Sequence, residues 1–393
     1  MKKLLVVGAS VLQLPAIKKA KEKGYLVAAA DRDPNAVGIA YADKYYQTST
    51  TDIDGILQAA TEFQADGIMT LATDMPMRAV ANAAFKLGLP GILPEVALRA
   101  TDKGEMIKAF KDNGVASPWF YIAADEKSLR EVIDLALYPC IMKPVDNSGS
   151  RGVILLLRRE QIEDSYIYSK SQSRGGGVII EEYMQGHEVS VETMTANSTT
   201  KILAITDKLT TGPPHFVELG HSQPSLLPVE VQKQIEELAL KAVEAVGIDI
   251  GPAHIEIMIT EDGPMMIELG ARMGGDCITT HLVPFSTGID MVGSTIDLLT
   301  GNMTDIIPTL NMGSAIRYFK VPKGRIISID GVEKAKGIEG VREIILMKTI
   351  GDEVRNIQSS TDRVGFVVAQ GENAKQAIRI CEEAMEKINI TVE

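Results

Sequence analysis

Cysteine is scarce in this sequence. Its 393 residues include Cys140, Cys277 and Cys381, far apart and odd in number. They make no disulfide framework and no metal spacing, and they suit a reducing cytosol. Each is simplest as a small buried hydrophobe. Positive charge is also in deficit, with 40 Lys and Arg against 52 Asp and Glu and a net charge of −12. No basic stripe exists for nucleic acid, and any phosphate must be held by local donors and metal against the overall field. No apolar run reaches the length of a membrane span. Met1-Lys2-Lys3 followed by L-L-V-V-G-A-S has the look of a secretory leader. Its apolar core is short and runs into the lysine-rich stretch 18–23, so a cytoplasmic protein is expected. The turn Gly8-Ala9-Ser10 carries one glycine where a dinucleotide fingerprint needs three, which argues against NAD and leaves Asp31 a strand-end residue. Repeats and low-complexity tracts are absent.

What is present is an ordinary soluble composition, 45% hydrophobic and 23% charged, in a length that suits two or three domains. Residues 4–8 read as a buried parallel strand. A helix through Ala20, ended by Gly24, and a strand over 25–30 complete a βαβ opening. A helix over 52–64 and a strand over 67–71 repeat the unit. Thr73-Asp74 then sits at the carboxyl end of a strand, where open α/β sheets bind ligands, so Asp74 is a substrate-site candidate. The glycines of 88–91 close this domain near residue 95. A helix bearing Met106 follows Asp102-Lys103. Residues 139–144 read as a short strand with Lys143 near its end, running into 146–153, whose small residues offer backbone N–H groups to phosphate. The polar stretch 169–177 is expected to be the least ordered. Beyond a strand over 178–180, Glu188, Ser190 and Glu192 share one strand face, read most simply as solvated. Lys208 and 212–215 are expected in a loop, and a lone His221 is more often structural than catalytic. An amphipathic helix over 229–246 ends at Gly247, and 284–301 is helical with glycine breaks. From Asn311 the pattern turns to short strands and a closing helix over 374–388, a third α+β domain.

The stretch from His254 to Asp276 organises the rest. Two apolar runs flank Glu261-Asp262-Gly263, a hairpin with a three-residue loop and Gly263 where a positive φ is needed. A loop centred on Asp262 pairs position 256 with 268. Glu256 and Glu268 then face each other with Cβ atoms about 5 Å apart, where like charges destabilise. A shared divalent cation removes that strain, and one or two carboxylates completed by phosphate and water is the habit of Mg²⁺. Two alternatives stay open: a solvated hairpin whose acids never meet, and a register shift at Pro264 that separates them. Arg272 follows on the same strand or just past it, and Gly274-Gly275 admits close backbone approach.

Several stretches together resemble the ATP-grasp superfamily of carboxylate–amine ligases. They are D-K-x-x-M at 102–106, the I-M-K-P strand end, the glycine-rich loop 146–153, E-E-Y-M-x-G-x-E at 181–188, Glu256, and E-x-x-x-R at 268–272 followed by Gly274-Gly275. The resemblance is collinear over nearly the whole chain. It implies a multidomain α/β and α+β architecture: a pre-ATP-grasp Rossmann-like domain over 1–95, an ATP-grasp fold over 96–310 with a lid over about 115–187, and a small α+β C-terminal domain over 311–393. That last domain, with Asp362-Arg363-Val364-Gly365 and Gly371, is similar to the closing domain of members like phosphoribosylglycinamide synthetase, biotin carboxylase and carbamoyl-phosphate synthase. ATP and Mg²⁺ are the implied cofactors, with Mn²⁺ the alternative ion. By resemblance, Lys103 and Lys143 lie on the ATP phosphates, Lys143 also serving catalysis. Ser148, Gly149, Ser150 and Gly152 belong to the phosphate flap. Glu181, Glu182, Tyr183 and Met184 form the adenine hinge, and Glu188 holds the ribose. Glu256 and Glu268 are the metal ligands, and Arg272 is the catalytic arginine of the acyl-phosphate. Many members carry Asn where this chain has Gly270, so a metal ligand or supporting contact is missing. E-x-G-H-x-x-P at 218–224 and Gly274-Gly275-Asp276 resemble the amino-acid-ligase branch, in which His221 and Asp276 would lie near the substrates.

The expected function is an ATP- and Mg²⁺-dependent ligase that activates a carboxylate as an acyl-phosphate and joins it to an amine, releasing ADP and phosphate. Its partners are small-molecule carboxylates and amines, with no nucleic acid or membrane partner, and with homodimers common among such proteins. The competing reading is a non-catalytic ATP-binding sensor or scaffold, favoured by Gly270 and opposed by the presence of both lysines, both glutamates and the arginine.

Overall fold

The computed structural model describes every residue except 148, 150, 214 and 305. Ser148 and Ser150 therefore lie outside the described residues. The N-terminal region is a four-stranded parallel sheet in the order Lys44–Gln47, Leu26–Asp31, Lys3–Val7, Gly67–Met69. Its central strands are apolar except at Lys3 and Asp31, at their ends, because both faces are covered. Leu5, Val7 and Ala28 pack on the helices Ile53–Phe63 and Met77–Leu87. Leu4, Val6 and Val27 pack toward Met273, Leu282 and Met291 of the central region. Asp31 accepts from Ala9 N and Asp33 N, the part of a strand-end residue.

An antiparallel sheet of eight strands forms the body. Its order begins with the hairpin Gly263–Gly270 and Gly251–Thr260, then His187–Ala196, Thr199–Thr210 and Glu218–Gln223. The last three strands, Gly313–Tyr318, Gly365–Gly371 and Val341–Leu346, come from the C-terminal region. Those strands extend the central sheet instead of building a separate one, because Glu218–Gln223 pairs directly with Gly313–Tyr318. A strand at the chain's end, Asn389–Val392, pairs with Gly324–Asp330; nothing in the residue pattern after the closing helix had pointed to it.

Period-2 alternation splits the sheet into two chemically different faces. Val189, Val191, Ile205, Ile255, Ile257 and Leu269 bury one face under the helix Val229–Val246, which contributes Ile235, Leu238, Ala242 and Val246. Each of the Val, Leu and Ile side chains among these stabilises by about 1.5–3 kcal/mol relative to exposure. The opposite face is polar and carries the candidate site. Glu188, Ser190 and Glu192 lie there, and the solvated reading of that face is wrong: Ser190 and Glu192 are fully buried. Lys208 belongs to the strand Thr199–Thr210, not to a loop, and is buried on this same face.

The region expected to form a lid holds a four-stranded antiparallel sheet, Phe120–Ala123, Val178–Glu182, Cys140–Pro144, Ile154–Leu156. Residues 169–171 end the helix Ile162–Ser171, and the turn that follows is tied down. Asp146 accepts from Ser173 Oγ at 2.7 Å, Gly175 N at 2.7 Å and Arg174 N at 3.1 Å. A carboxylate that satisfies successive backbone donors orders a loop that composition alone marks as loose. No described helix is long and apolar enough to cross a membrane.

Candidate active site

The hairpin brings Glu256 opposite Glu268, by a route the residue pattern did not show. The loop is two residues, not three: Thr260 pairs with Gly263, and Met258 with Met265. That register is one residue off the one needed to oppose the two acids. A bulge between Glu256 and Ile257 restores it, since an extra residue on one strand resets the pairing beyond it. Gly263 adopts φ 111°, as its turn requires.

The two carboxylates are not left in repulsion. Lys103 Nζ lies 2.9 Å from Glu268 Oε2. Lys208 Nζ lies 3.3 Å from Glu256 Oε1 and pairs closely with Glu188 as well. Each acid thus has a lysine of its own beside it, in addition to any cation the two acids would share. Burial works against the charged form of Glu256, but Lys208 and His254 hold its carboxyl well below the usual range. Glu188 is pushed up by burial and by the charge of Glu256, against the pull of Lys208. Burial lowers Lys208, and the carboxylates of Glu188, Glu256 and Glu218 more than reverse this.

Behind Glu256 lies a buried relay. His254 Nδ1 meets Glu192 Oε1 at 2.5 Å and its Nε2 lies 3.3 Å from Glu256 Oε1. Burial opposes charge on His254, yet Glu192 and Glu256 raise it to about 9. Gly274 lies over this pair. A Cβ at Gly274 would stand 2.6 Å from His254 Nδ1, so close backbone approach is to protein atoms here. Gly275 has room, with Ala72 Cβ nearest at 3.8 Å.

Lys103 opens the helix Lys103–Asp112, N-capped by Asp102, and donates to Asn147 O at 3.0 Å. The glycine-rich loop is thereby tethered next to Glu268. Lys143, on the strand Cys140–Pro144, forms a buried pair with Glu181. Glu182 N donates to Trp119 O at 3.1 Å. Tyr183 and Phe216 face one another at 6.4 Å between ring centroids, with Met184 partly buried beside them in sequence. Gly149 is exposed and Gly152 buried in the loop.

Arg272 lies just past the strand end and is gripped by Asp74 of the N-terminal region, with Nε to Oδ1 at 2.9 Å and Nη2 to Oδ2 at 3.0 Å. Asp74, Arg78, Lys103, Asp146, Glu268 and Arg272 help line one cavity of about 360 Å³. A second cluster stands alongside. Arg363 donates to both oxygens of Asp276 at 2.7 and 2.9 Å and stacks on Tyr318 at 4.0 Å. His221 Nε2 lies 3.4 Å from Asp276, and its Nδ1 has no partner among the described residues. Burial raises Asp276, but His221 and Arg363 together hold its carboxyl well below the ordinary range.

Two part-exposed carboxylates facing each other supply hard oxygen donors and leave the remaining positions to other oxygens, which fits Mg²⁺. Among the described residues no group of three or more His, Cys, Asp or Glu is placed to hold a metal, so this site is completed by phosphate and water or not at all. Lys208, Glu192 and His254 were not singled out from the sequence as site residues. Their alternation with Ser190, Thr206 and Glu256 on adjacent strands is the signal that marks them.

Residues 136–280 match the family model of the ATP-grasp domain, and residues 317–393 match L-amino acid ligase C-terminal domain 2. Residues 136–280 therefore carry an ATP-grasp domain. More particularly, its C-terminal region is similar to the C-terminal domain of L-amino acid ligases. Several of the named relatives are ligases. The chain is 29% identical over 315 residues to alanine–anticapsin ligase of Bacillus subtilis (strain 168), a match spanning 74% of this chain and 66% of that one. It is 27% identical over 339 residues to phosphoribosylamine–glycine ligase of Methanothermobacter thermautotrophicus, spanning 78% and 75%. The fold is shared with the solved L-amino acid ligase from Bacillus licheniformis, at TM-score 0.85 and 22% identity over 100% of this chain and 99% of that one.

Proposed function

We propose that this protein is an ATP-dependent carbon–nitrogen ligase joining a small carboxylate, of amino-acid type, to an amine. The observation that carries this is the convergence of Lys103, Glu268 and Arg272 on one cavity, with Glu256 opposite Glu268. The carboxylate oxygen attacks the γ-phosphorus and ADP leaves. The amine then attacks the acyl carbon, and phosphate and a proton are released. Lys103 and Lys143 neutralise phosphate charge, and Arg272 meets the charge that develops on the transferring group, as phosphoryl transfer requires. Glu256 and Glu268 would hold Mg²⁺, which would supply further charge neutralisation at the phosphates. The tether from Lys103 to Asn147 O keeps the glycine loop over them. Tyr183 and Met184 suit an adenine, and Glu188, already hydrogen-bonded to Lys208, suits the ribose hydroxyls.

The cluster of His221, Asp276 and Arg363 fits the substrate end, as does the alanine–anticapsin ligase likeness, and both support an amino acid as one reactant. No observation favours a non-catalytic scaffold. Gly270, which invited that reading, has its side-chain space filled by Asp74. The test is ADP release and hydroxamate formation with MgATP, hydroxylamine and a pool of amino acids. Hydroxamate with at least one carboxylate is expected. A protein that binds MgATP and yields none across the pool refutes the proposal.

A further inference from the structure

The loop after the strand Gly67–Met69 carries a carboxylate out of the N-terminal sheet and into the cavity. Ala72 holds a left-handed φ of 60°, a conformation that L side chains adopt at a cost and that persists where the surroundings enforce it. Two residues later, Asp74 reaches Arg272, 198 positions away. The contact uses one edge of the guanidinium, Nε and Nη2. Nη1 makes only a 3.4 Å contact with Met273 O, which leaves it available to a ligand in the cavity that Arg272 lines. A planar fork gripped along one edge has its other donors aimed in a set direction.

Gly270 completes the arrangement. A Cβ at that position would stand 2.5 Å from Asp74 Oδ1 and 3.2 Å from both Cζ and Nε of Arg272. The residue lies in the strand Gly263–Gly270, without a left-handed φ. Glycine is thus demanded by the space that Asp74 fills, and not by the backbone.

We propose that Asp74 is a positioning residue. Its carboxylate orients Arg272 toward the transferring phosphoryl group, and Gly270 is the gap through which it does so. This rests on the reading of Arg272 as the phosphate-facing arginine, and assigns to Asp74 a role through Arg272 in place of direct contact with substrate. It also accounts for the absence of a side chain at 270.

The test measures binding of inorganic phosphate to the protein saturated with MgADP, by calorimetry, beside the affinity for MgADP alone. Asp74→Asn keeps the shape and removes the charge. It should weaken phosphate by about tenfold, since a hydrogen bond to a charged group is lost from the arginine's support, while MgADP affinity stays within about twofold. Gly270→Ala should do the same in the Asp74 background. In an Asp74→Ala background, where the obstructing carboxylate is gone, Gly270→Ala should add less than about twofold, the non-additivity expected of residues that act through one contact. Melting temperatures check that each variant is folded. Unchanged phosphate affinity in Asp74→Asn, independent effects in the double variant, or equal loss of MgADP and phosphate would each overturn the proposal. So would a wild type that binds no phosphate on MgADP. If phosphate binding follows the expected pattern but no hydroxamate forms, the ligase reading fails and this inference stands.

Discussion

Lys208 is surrounded by three acids, Glu188, Glu256 and Glu218, and is itself buried. Lys208→Met keeps the length of the side chain and deletes the charge. Removing one partner of a buried ion pair costs about 3–5 kcal/mol. The carboxylates of Glu188 and Glu256 each retain 20% exposure, so water offsets part of the loss and about 3 kcal/mol is the figure to expect. Unfolding entropy of about 2.1 cal/mol/K per residue comes to roughly 0.8 kcal/mol/K over this chain, which converts 3 kcal/mol into a drop of about 4 °C. The assay is thermal unfolding with and without Mg²⁺. If Mg²⁺ binds at Glu256 and Glu268, it should recover more stability in the variant than in the wild type, because it replaces the missing charge. The deficit should also narrow at lower pH. Glu188, already held above the ordinary carboxyl range mainly by burial, then takes up a proton and needs no partner. A variant that melts within about 1 °C of wild type in the absence of Mg²⁺ would refute the idea that Lys208 neutralises this cluster.

Other expectations follow from the same geometry. Lys143→Ala should weaken MgATP binding more than Lys143→Arg and also destabilise the apo protein by about 3 kcal/mol, because Glu181 is left buried and unpaired; calorimetry and urea unfolding on the two variants check both effects. Glu268→Gln should lower hydroxamate yield by about 100-fold or more, yet shift stability by no more than about 1 kcal/mol, since loss of the Lys103 contact is offset by relief from Glu256; steady-state turnover and urea midpoints read the two effects separately. Asp276 is depressed despite its burial, through His221 and Arg363. Its stabilisation is therefore complete above the unfolded carboxyl pKa, about 4, and is lost as pH falls below it. Asp276→Asn should cost about 2 kcal/mol at neutral pH and flatten the acid limb of the stability profile, measured as urea midpoints between about pH 3 and 7.

The local features of this chain were legible because they repeat over a few residues. Alternating apolar positions around Gly263 placed Glu256 against Glu268, and the helix over 229–246 with its glycine stop was visible from periodicity. Lys143 stood out as a cation at the end of a strand that runs into a small-residue loop, and Lys103 through the family resemblance alone. Even in the hairpin the agreement has a tertiary component. The shorter loop would have separated the acids, and a bulge next to Glu256 brought them back. Bulges depend on how a strand packs across the sheet, and no local signal announced this one.

What only the tertiary structure decided is which polar residues are enclosed together. A strand alternation says that Glu188, Ser190 and Glu192 share a face, but not whether water or protein lies against it. Burial of that face follows from the packing of the N-terminal sheet and the 274–282 segment over it. That burial makes Lys208 a counterion and His254 a charged link between Glu192 and Glu256. The pairs Asp74–Arg272 and Asp276–Arg363 join residues 198 and 87 positions apart. Their residue types are ordinary, and their partners are set by chain topology, because a long-range ion pair leaves no spacing in the sequence from which to read it.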